Sequence, residues 1–313
     1  MLILFFILTC VAPLLGSASS AAMYASPRII LGSVSDNFNV SFYCTLFVDF
    51  PSDAGTSLCG CAIYSPGLAV SAAHCFKRED ENFSNVRLRL YGKFHKSQML
   101  LTVKPERVFV HPDHSFVSLQ NDIAVFRVPE TVDSAPLLQV NELEETWEAL
   151  SAQDELIVVG VGLMRSAKLA LQYHTSSLSL GIPRETSLSR RDCDAPRGFG
   201  NLRPWAQSAH QGDLCAGPFA ACEAGVCADS CQGDSGGPLF SRSTSPEILF
   251  GVVSRGAECG LFGGLPGIYT PLHKHTHFLQ YVTKKDATAA VSGAAMKPRF
   301  FVFIISIFFC ILR

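Results

Sequence analysis

Three short segments carry side chains that could do chemistry together. Ser71-Ala72-Ala73-His74-Cys75 follows an apolar run, Asn121-Asp122-Ile123-Ala124 opens another, and Cys231-Gln232-Gly233-Asp234-Ser235-Gly236-Gly237-Pro238 sits in a loop before a strand. A serine hydroxyl attacks a carbonyl only if a neighbouring base takes its proton. An imidazole, which titrates near neutrality, is suited to that task, and a carboxylate can fix its tautomer and steady the imidazolium. Taken singly, His74 reads equally well as a core histidine, Asp122 as a turn residue and Ser235 as a turn hydroxyl. Together, in the order His…Asp…Ser, they match one of the chain orders in which nucleophile, base and carboxylate recur.

The elements that must position these residues are mostly short strands. Runs at 42–48, 62–65, 86–91, 99–103, 107–110, 123–128, 156–161, 171–178 and 248–253 are rich in Val, Leu, Phe and Ile and are separated by Gly, Pro, Asn, Asp or Ser. Many short strands with turn signals between them predict an all-β sandwich or barrel. One long helix is expected, around 273–284, where Leu272, His275, Phe278, Leu279 and Val282 share a face. His273, His275 and His277 alternate there, and solvated helix positions explain them better than a metal site does.

Of 313 residues, 48% are hydrophobic and 17% charged, with a net charge of −2. That is ample for a core, and the absence of a basic block excludes a nucleic-acid groove. Residues 1–20 read as a secretory signal peptide cleaved near 17–22, although the segment has no Lys or Arg. Residues 300–313 form an apolar tail behind an Ala/Ser-rich spacer at 286–299. The tail is shorter than the roughly 20 residues of an ordinary spanning helix. It reads as an attachment signal for a lipid (GPI) anchor, as a short membrane anchor, or as neither. Of 12 cysteines, Cys10 and Cys310 lie in these ends. The other ten, an even number behind a signal peptide, predict disulfides rather than a zinc site, because neither Cys59-Gly60-Cys61 nor the 222–231 cluster has clean ligand spacing.

With SAAHC, NDIAV, CQGDSGGPLF and GIYTPL quoted in order, the chain resembles the trypsin/chymotrypsin family of serine proteases from about residue 28 to 285. The resemblance implies two six-stranded antiparallel β-barrels with the active site between them and a C-terminal helix. It implies His74 as general base, Asp122 as its orienting carboxylate and Ser235 as nucleophile. The Gly233 and Ser235 N–H groups would form the oxyanion hole, and Ser254 would hydrogen-bond Asp122. A protease-derived binding protein would be expected to have lost one of the three, and none is lost.

The resemblance also implies a specificity. Asp229, six residues before Ser235, stands where the family's primary pocket has its floor, with Ser230 beside it and Gly256 and Gly267 at the walls. An aspartate there implies substrates with Arg or Lys on the acyl side of the scissile bond. Arg28-Ile29-Ile30-Leu31-Gly32 resembles the family's activation site, so residues 21–28 would be a propeptide and 29–285 the protease domain. The freed Ile29 amine would pair with Asp234. Leu31 departs from the pattern, since it replaces a glycine hinge. By family position the bridges are Cys59–Cys75, Cys193–Cys215 and Cys231–Cys259. Cys44–Cys61 and Cys222–Cys227 complete the set as guesses, and a further family bridge is missing because Leu156 and Ser241 occupy its places.

Arg255 replaces the family's tryptophan near the pocket. Either it favours acidic or polar substrate residues or weakens peptide binding generally, or it swings into solvent and little changes. Asn39 and Asn82 head glycosylation sequons, and the 194–214 insertion with Arg197, Arg203 and Trp205 reads as an exposed loop. Expected partners are protein or peptide substrates, an activating protease and protein inhibitors, with a membrane only through the lipid anchor. No cofactor, metal or nucleic acid is expected, and the location is extracellular or at the outer cell surface.

Overall fold

The computed structural model describes residues 29–34, 42–51, 56–76, 82–91, 99–130, 140–162, 183–193, 209–222, 225–243, 247–256, 258–260 and 265–294. The signal peptide, Arg28, Asn39, the strand expected at 171–178, residues 194–208 and the apolar tail lie outside them.

A two-residue strand β1 (Ser33–Val34) precedes a first sheet of β2 (Tyr43–Asp49), β3 (Thr56–Ser65), β4 (Leu68–Ser71), β5 (Asn85–Leu90), β6 (Met99–Val103), β7 (Val108–Val110) and β8 (Ala124–Arg127). Helix α1 (Val140–Ala149) leads to β9 (Leu156–Gly160), β10 (Arg184–Arg190), β11 (Leu214–Pro218), β12 (Pro238–Ser241), β13 (Ile248–Arg255) and β14 (Gly267–Pro271), and α2 (Thr276–Ala294) ends the fold.

Both sheets are antiparallel throughout. The first runs β6-β5-β2-β3-β4-β8-β7. Its two edge strands, β6 and β7, are consecutive in the chain and joined through a 3₁₀ turn at Pro105–Arg107, so counting them as one bent strand gives the six expected. The second runs β1-β10-β11-β14-β13-β12-β9, and pairing of β10 with β9 closes six strands into a barrel to which β1 is appended.

β5 shows the physics of the first sheet. Val86, Leu88 and Leu90 point inward and are buried, while Asn85, Arg87 and Arg89 alternate to a half-buried face, as the two-residue period of a strand requires. β2 and β9 are nearly all buried because both of their faces are covered. Across the seam, the Phe42 and Phe240 rings meet edge-on at 5.0 Å. Gly60 on β3 comes so close to the loop before β12 that a Cβ there would stand 2.7 Å from Gly237 Cα.

The C-terminal helix keeps the predicted face: Leu272, His275, Phe278, Leu279 and Val282 are all buried. It starts with a 3₁₀ turn at His273–His275 and continues into the Ala-rich stretch as far as Ala294. It packs on the first sheet, where the His111 ring lies 5.2 Å from His275 and 4.9 Å from Phe278, and Arg127 Nη2 donates to the Val282 carbonyl. No helix among the described residues is long and apolar enough to cross a membrane. α1 is an addition to the sequence reading. Leu143 and Trp147, one turn apart, are its buried contacts, with Trp147 stacked edge-on to Phe250 at 5.4 Å.

The five disulfides are Cys44–Cys61, Cys59–Cys75, Cys193–Cys215, Cys222–Cys227 and Cys231–Cys259. Cys44–Cys61 joins directly opposed residues of β2 and β3. Leu156 and Ser241 are buried on the paired strands β9 and β12 without a bridge.

Candidate active site

His74 sits in a single 3₁₀ turn, Ala73–Cys75, at the end of β4, anchored by the Cys59–Cys75 bridge. Asp122 immediately precedes β8 and is fully buried. Because β4 and β8 are paired, with Ser71 opposite Ala124, the two residues meet across the ends of adjacent strands. Asp122 Oδ1 accepts the His74 backbone N–H at 2.9 Å, and Oδ2 meets His74 Nδ1 at 2.8 Å. Oδ2 also accepts the Ser254 hydroxyl at 2.6 Å. Burial alone raises the Asp122 carboxyl, but His74 and the hydrogen bonds outweigh it, and the group ends below its ordinary value. For His74 burial pulls down, the Asp122 charge and hydrogen bond pull up, and the net is upward. This imidazole is therefore a stronger base than an isolated one.

Ser235 is half-buried in the tight loop before β12. Three contacts hold that loop. The Gly60 N–H donates to the Ser235 carbonyl at 2.7 Å, the Gly236 N–H to Val253 O at 2.7 Å, and the Gly237 N–H to Asp234 O at 2.8 Å. A Cβ on Gly236 would lie 2.0 Å from Ser71 Oγ and 2.8 Å from Ala72 N, so the nucleophile loop rests directly on the segment leading to His74. No hydrogen bond joins the His74 ring to Ser235 among the described residues, and such contacts commonly tighten only around substrate. Gly233 has φ +95, a conformation open to glycine. Among the described residues neither the Gly233 nor the Ser235 N–H is taken up by a backbone carbonyl.

Asp229 is 5% exposed. Its Oδ1 accepts the Ser230 N–H at 2.8 Å and its Oδ2 the Gly260 N–H at 2.9 Å. Burial dominates these bonds and pushes the carboxyl up to about 7. No Lys or Arg pairs with it among the described residues. The Cys222–Cys227 loop runs straight into this floor: Cys227 N donates to Gly260 O at 2.8 Å, and a Cβ on Gly260 would stand 2.1 Å from Cys227 O. At the walls, a Cβ on Gly256 would reach 3.7 Å from Gly267 Cα, and one on Gly267 would stand 3.4 Å from Asp229 Oδ1. Side chains at either position would narrow the space above the carboxylate. Tyr269 was not anticipated. It is fully buried beside Gly267, and desolvation together with Asp229 keeps its phenol strongly raised.

Asp234 is fully buried, held by the Gly162 N–H at 2.6 Å and the Cys231 N–H at 2.8 Å, and burial lifts it to about 7. Gly160 and Gly162 make room for it, since a Cβ on them would approach Asp234 Oδ1 to 1.9 and 2.6 Å. Ile29 and Ile30 are buried, and the Ile30 N–H donates to Asp229 O at 3.1 Å. Leu31, 45% exposed, has φ +52. Arg184 Nη1 donates to Gly32 O at 2.7 Å and fastens the segment to β10. Asn82 is exposed, as its sequon requires for modification.

Arg255 does not swing into solvent. Its side chain is 5% exposed and turned onto Asp213, so its charge is already met inside the protein. Asp213 carried no motif, and neither did His114, whose Nδ1 lies 3.9 Å from Asp122 Oδ1. Of the three histidines expected to be solvated, only His277 is exposed: His273 is turned onto Glu144 and His275 is buried on His111, because both lie on the packed side of the helix start. Cys59, His74 and Cys75 lie close together, but both thiols are spent in the disulfide.

A sequence model of the family described as Trypsin matches residues 35–279. Hypodermin-B of Hypoderma lineatum is 30% identical over 229 residues, covering 71% of this chain and 78% of its own length. CLIP domain-containing serine protease B8 of Anopheles gambiae is 30% identical over 264 residues, covering 76% of this chain and 61% of its own. Transmembrane protease serine 11C of Mus musculus is 28% identical over 228 residues, covering 72% and 47%. With a family match spanning both sheets and a hydroxyl, an imidazole and a buried carboxylate gathered where they meet, the chain belongs to the trypsin family of serine endopeptidases.

Proposed function

We propose that the protein cuts peptide bonds after Arg or Lys by a Ser235–His74–Asp122 triad, through an acyl-enzyme, and that cleavage after Arg28 switches it on. The observation that carries the specificity is the Asp229 carboxylate, buried with two backbone N–H donors and, among the described residues, no cationic side chain paired to it. A buried charge without a counter-charge is costly, so a long cationic substrate side chain relieves a penalty that an apolar one leaves in place.

In the reaction, His74 takes the Ser235 proton as Oγ attacks the carbonyl carbon, and later gives it to the leaving amine. The Gly233 and Ser235 N–H groups receive the oxyanion, each contributing about 2.7–4 kcal/mol. Asp122 holds the tautomer with Nδ1 protonated. Water then attacks the acyl-enzyme by the same proton route in reverse.

Activation follows a similar charge logic. Asp234 is buried without a cation, and the Ile29 amine released by cleavage would supply one. Pairing raises the amine above its ordinary 7.7–8.0, so this contribution is full at neutral pH and is lost as pH rises through the raised value. The expected location is outside the cell, in solution or on a lipid anchor, and Asn82 is the described glycosylation site.

Full-length protein and Arg28→Ala are expressed in cells and treated with an Arg-cutting activator. Activity on Arg-, Lys-, Phe- and Glu-amides is then read in the medium and after phosphatidylinositol-specific phospholipase treatment. Activity on Arg and Lys amides is expected only for the cleaved wild type. Equal activity of Arg28→Ala would rule out the activation step, and a preference for Phe or Glu would rule out the pocket assignment.

Leu31 makes the activation equilibrium tunable. A left-handed conformation costs a leucine about 1–2 kcal/mol that glycine escapes, while glycine in the free segment gains about 0.4–1 kcal/mol of chain entropy. Strain outweighs or matches the entropy, so Leu31→Gly should favour the inserted segment by up to about 1.6 kcal/mol, up to about 15-fold. The check is tighter binding of a cationic amidine to cleaved Leu31→Gly, and weaker binding would contradict it.

A further inference from the structure

Behind the triad lies an ion pair that the reaction scheme above does not use. Arg255 ends β13 with its guanidinium folded inward, where Nη2 pairs with Asp213 Oδ2. Nη1 reaches Leu119 O at 3.4 Å and Ser254 Oγ at 3.3 Å. The two side chains are 5% and 14% exposed. Ser254 has one hydroxyl proton and gives it to Asp122 Oδ2 at 2.6 Å, so toward Arg255 its oxygen is the acceptor. The result is a continuous chain of donors, Arg255 to Ser254 to Asp122, ending on the same Oδ2 that meets His74 Nδ1.

Asp213 is fixed from its own side. Its Oδ2 also accepts the His210 N–H at 2.8 Å, and the His210 ring meets Ser118 O at 2.8 Å through Nε2. Ser118 and Leu119 belong to the loop that ends at Asp122, in which Leu119 and Asn121 take positive φ values of 54 and 52. The pair therefore ties together β13, the segment before β11 and the loop carrying Asp122, all three of which converge on one carboxylate.

We propose that the Arg255–Asp213 pair is a positioning element of the triad, holding Ser254 against Asp122 and balancing the charge behind it. The proposal rests on the triad reading above. The groups facing Asp122 are His74 in front, His114 at 3.9 Å on the loop, and the pair behind Ser254. His275 and His111 lie further out between the loop and the helix, with Asp113 near His111. Because the pair is close to neutral as a unit, the Asp122 carboxylate is left to act on His74. Removing one member leaves the other's charge uncompensated, and the two removals act on His74 in opposite directions.

Asp213→Asn leaves a cation beside Ser254. It competes with His74 for the Asp122 charge and disfavours the imidazolium, so the acidic limb of kcat/KM should move down by about 0.5–1 in pH. Arg255→Met leaves an anion and should move the limb up by a similar amount. The double variant, with neither charge, and Arg255→Lys, with both, should return it to the wild-type position.

The four variants are compared with wild type as cleaved full-length proteins on an Arg-amide, with the titration of the His74 ring proton followed by NMR on the same samples. The proton titration does not depend on which substrate is preferred, so failure of the specificity reading and failure of this proposal are distinguishable. A merely structural pair would lower activity and thermal midpoint without moving either titration. Unmoved limbs, or two single variants shifting the same way, would overturn the proposal. If Asp213→Asn does not fold, Arg255→Met against the double variant still gives the sign.

Discussion

Ser235→Ala should lower kcat on an Arg-amide by about 10⁶ and leave KM and the thermal midpoint close to wild type. The hydroxyl is a surface atom of a loop whose position is set by backbone bonds from Gly60, Gly236 and Gly237, none of which involves the side chain. Its loss therefore removes chemistry and little else. Asp122→Asn should cost less, about 10⁴, through a different route. An amide at that place can offer N–H to the His74 ring and stabilise the wrong tautomer, and it loses the charge that keeps the His74 imidazole raised. Asp122→Asn should also move the acidic limb of the pH profile downward, because a less basic imidazole stays unprotonated to lower pH. Steady-state kinetics from pH 5 to 9 with active-site titration separates the two, and a Ser235→Ala protein within tenfold of wild type would refute the triad.

Asp229→Asn is expected to reduce kcat/KM for Arg substrates by about 150- to 5,000-fold, the range that follows from about 3–5 kcal/mol for an unmatched charge in a buried site. The same substitution should leave Phe substrates unchanged or better, since it removes a penalty they now bear. The pocket also titrates. With its carboxyl lifted to about 7 by burial, Asp229 is largely protonated at pH 6 and largely ionised at pH 8. Ionising it costs the empty protein stability, so its contribution is greatest at acid pH and is lost as pH rises from about 4 through about 7. A bound cation reverses that loss. A small amidine should accordingly bind about tenfold more tightly at pH 8 than at pH 6, releasing a proton as it does so, and this dependence should vanish in Asp229→Asn. Calorimetry in two buffers of different ionisation heat measures both the affinity and the proton. Affinity independent of pH in the wild type would contradict the raised carboxyl.

What could be read from the sequence was local or positional. The helix face Leu272, His275, Phe278, Leu279 and Val282 is a periodicity, and burial follows it residue by residue. The strand at 86–91 alternates and lies one residue from its observed bounds. β11 and β14 escaped because Gly and Pro punctuate them (LCAGP, GIYTP), yet in the barrel they pair with each other across about fifty residues of chain. α1 escaped because, among its described side chains, Leu143 and Trp147 are the buried anchors between acidic residues. The roles proposed for His74, Asp122, Ser235 and Asp229, and three of the cysteine pairs, rested on family position, which ties a residue to a place in a fold, while Cys44–Cys61 and Cys222–Cys227 were guesses that the structure pairs. Arg255 was flagged as a departure, but its partner could not be named. The pair with Asp213 spans 42 residues and depends on how two loops fold onto the end of β13.

Gly60 and Gly237 give the cleft an unusual kind of tolerance. The nucleophile comes from one barrel and the base from the other, and between them at this point there is less room than one methyl group occupies. At this point backbone lies on backbone, with no side chain between them to change rotamer or act as a spacer. Cores on either side can then accept exchanges of volume-matched side chains without passing error into the active geometry. The seam acts as a machined datum surface against which both halves of the catalytic apparatus are registered.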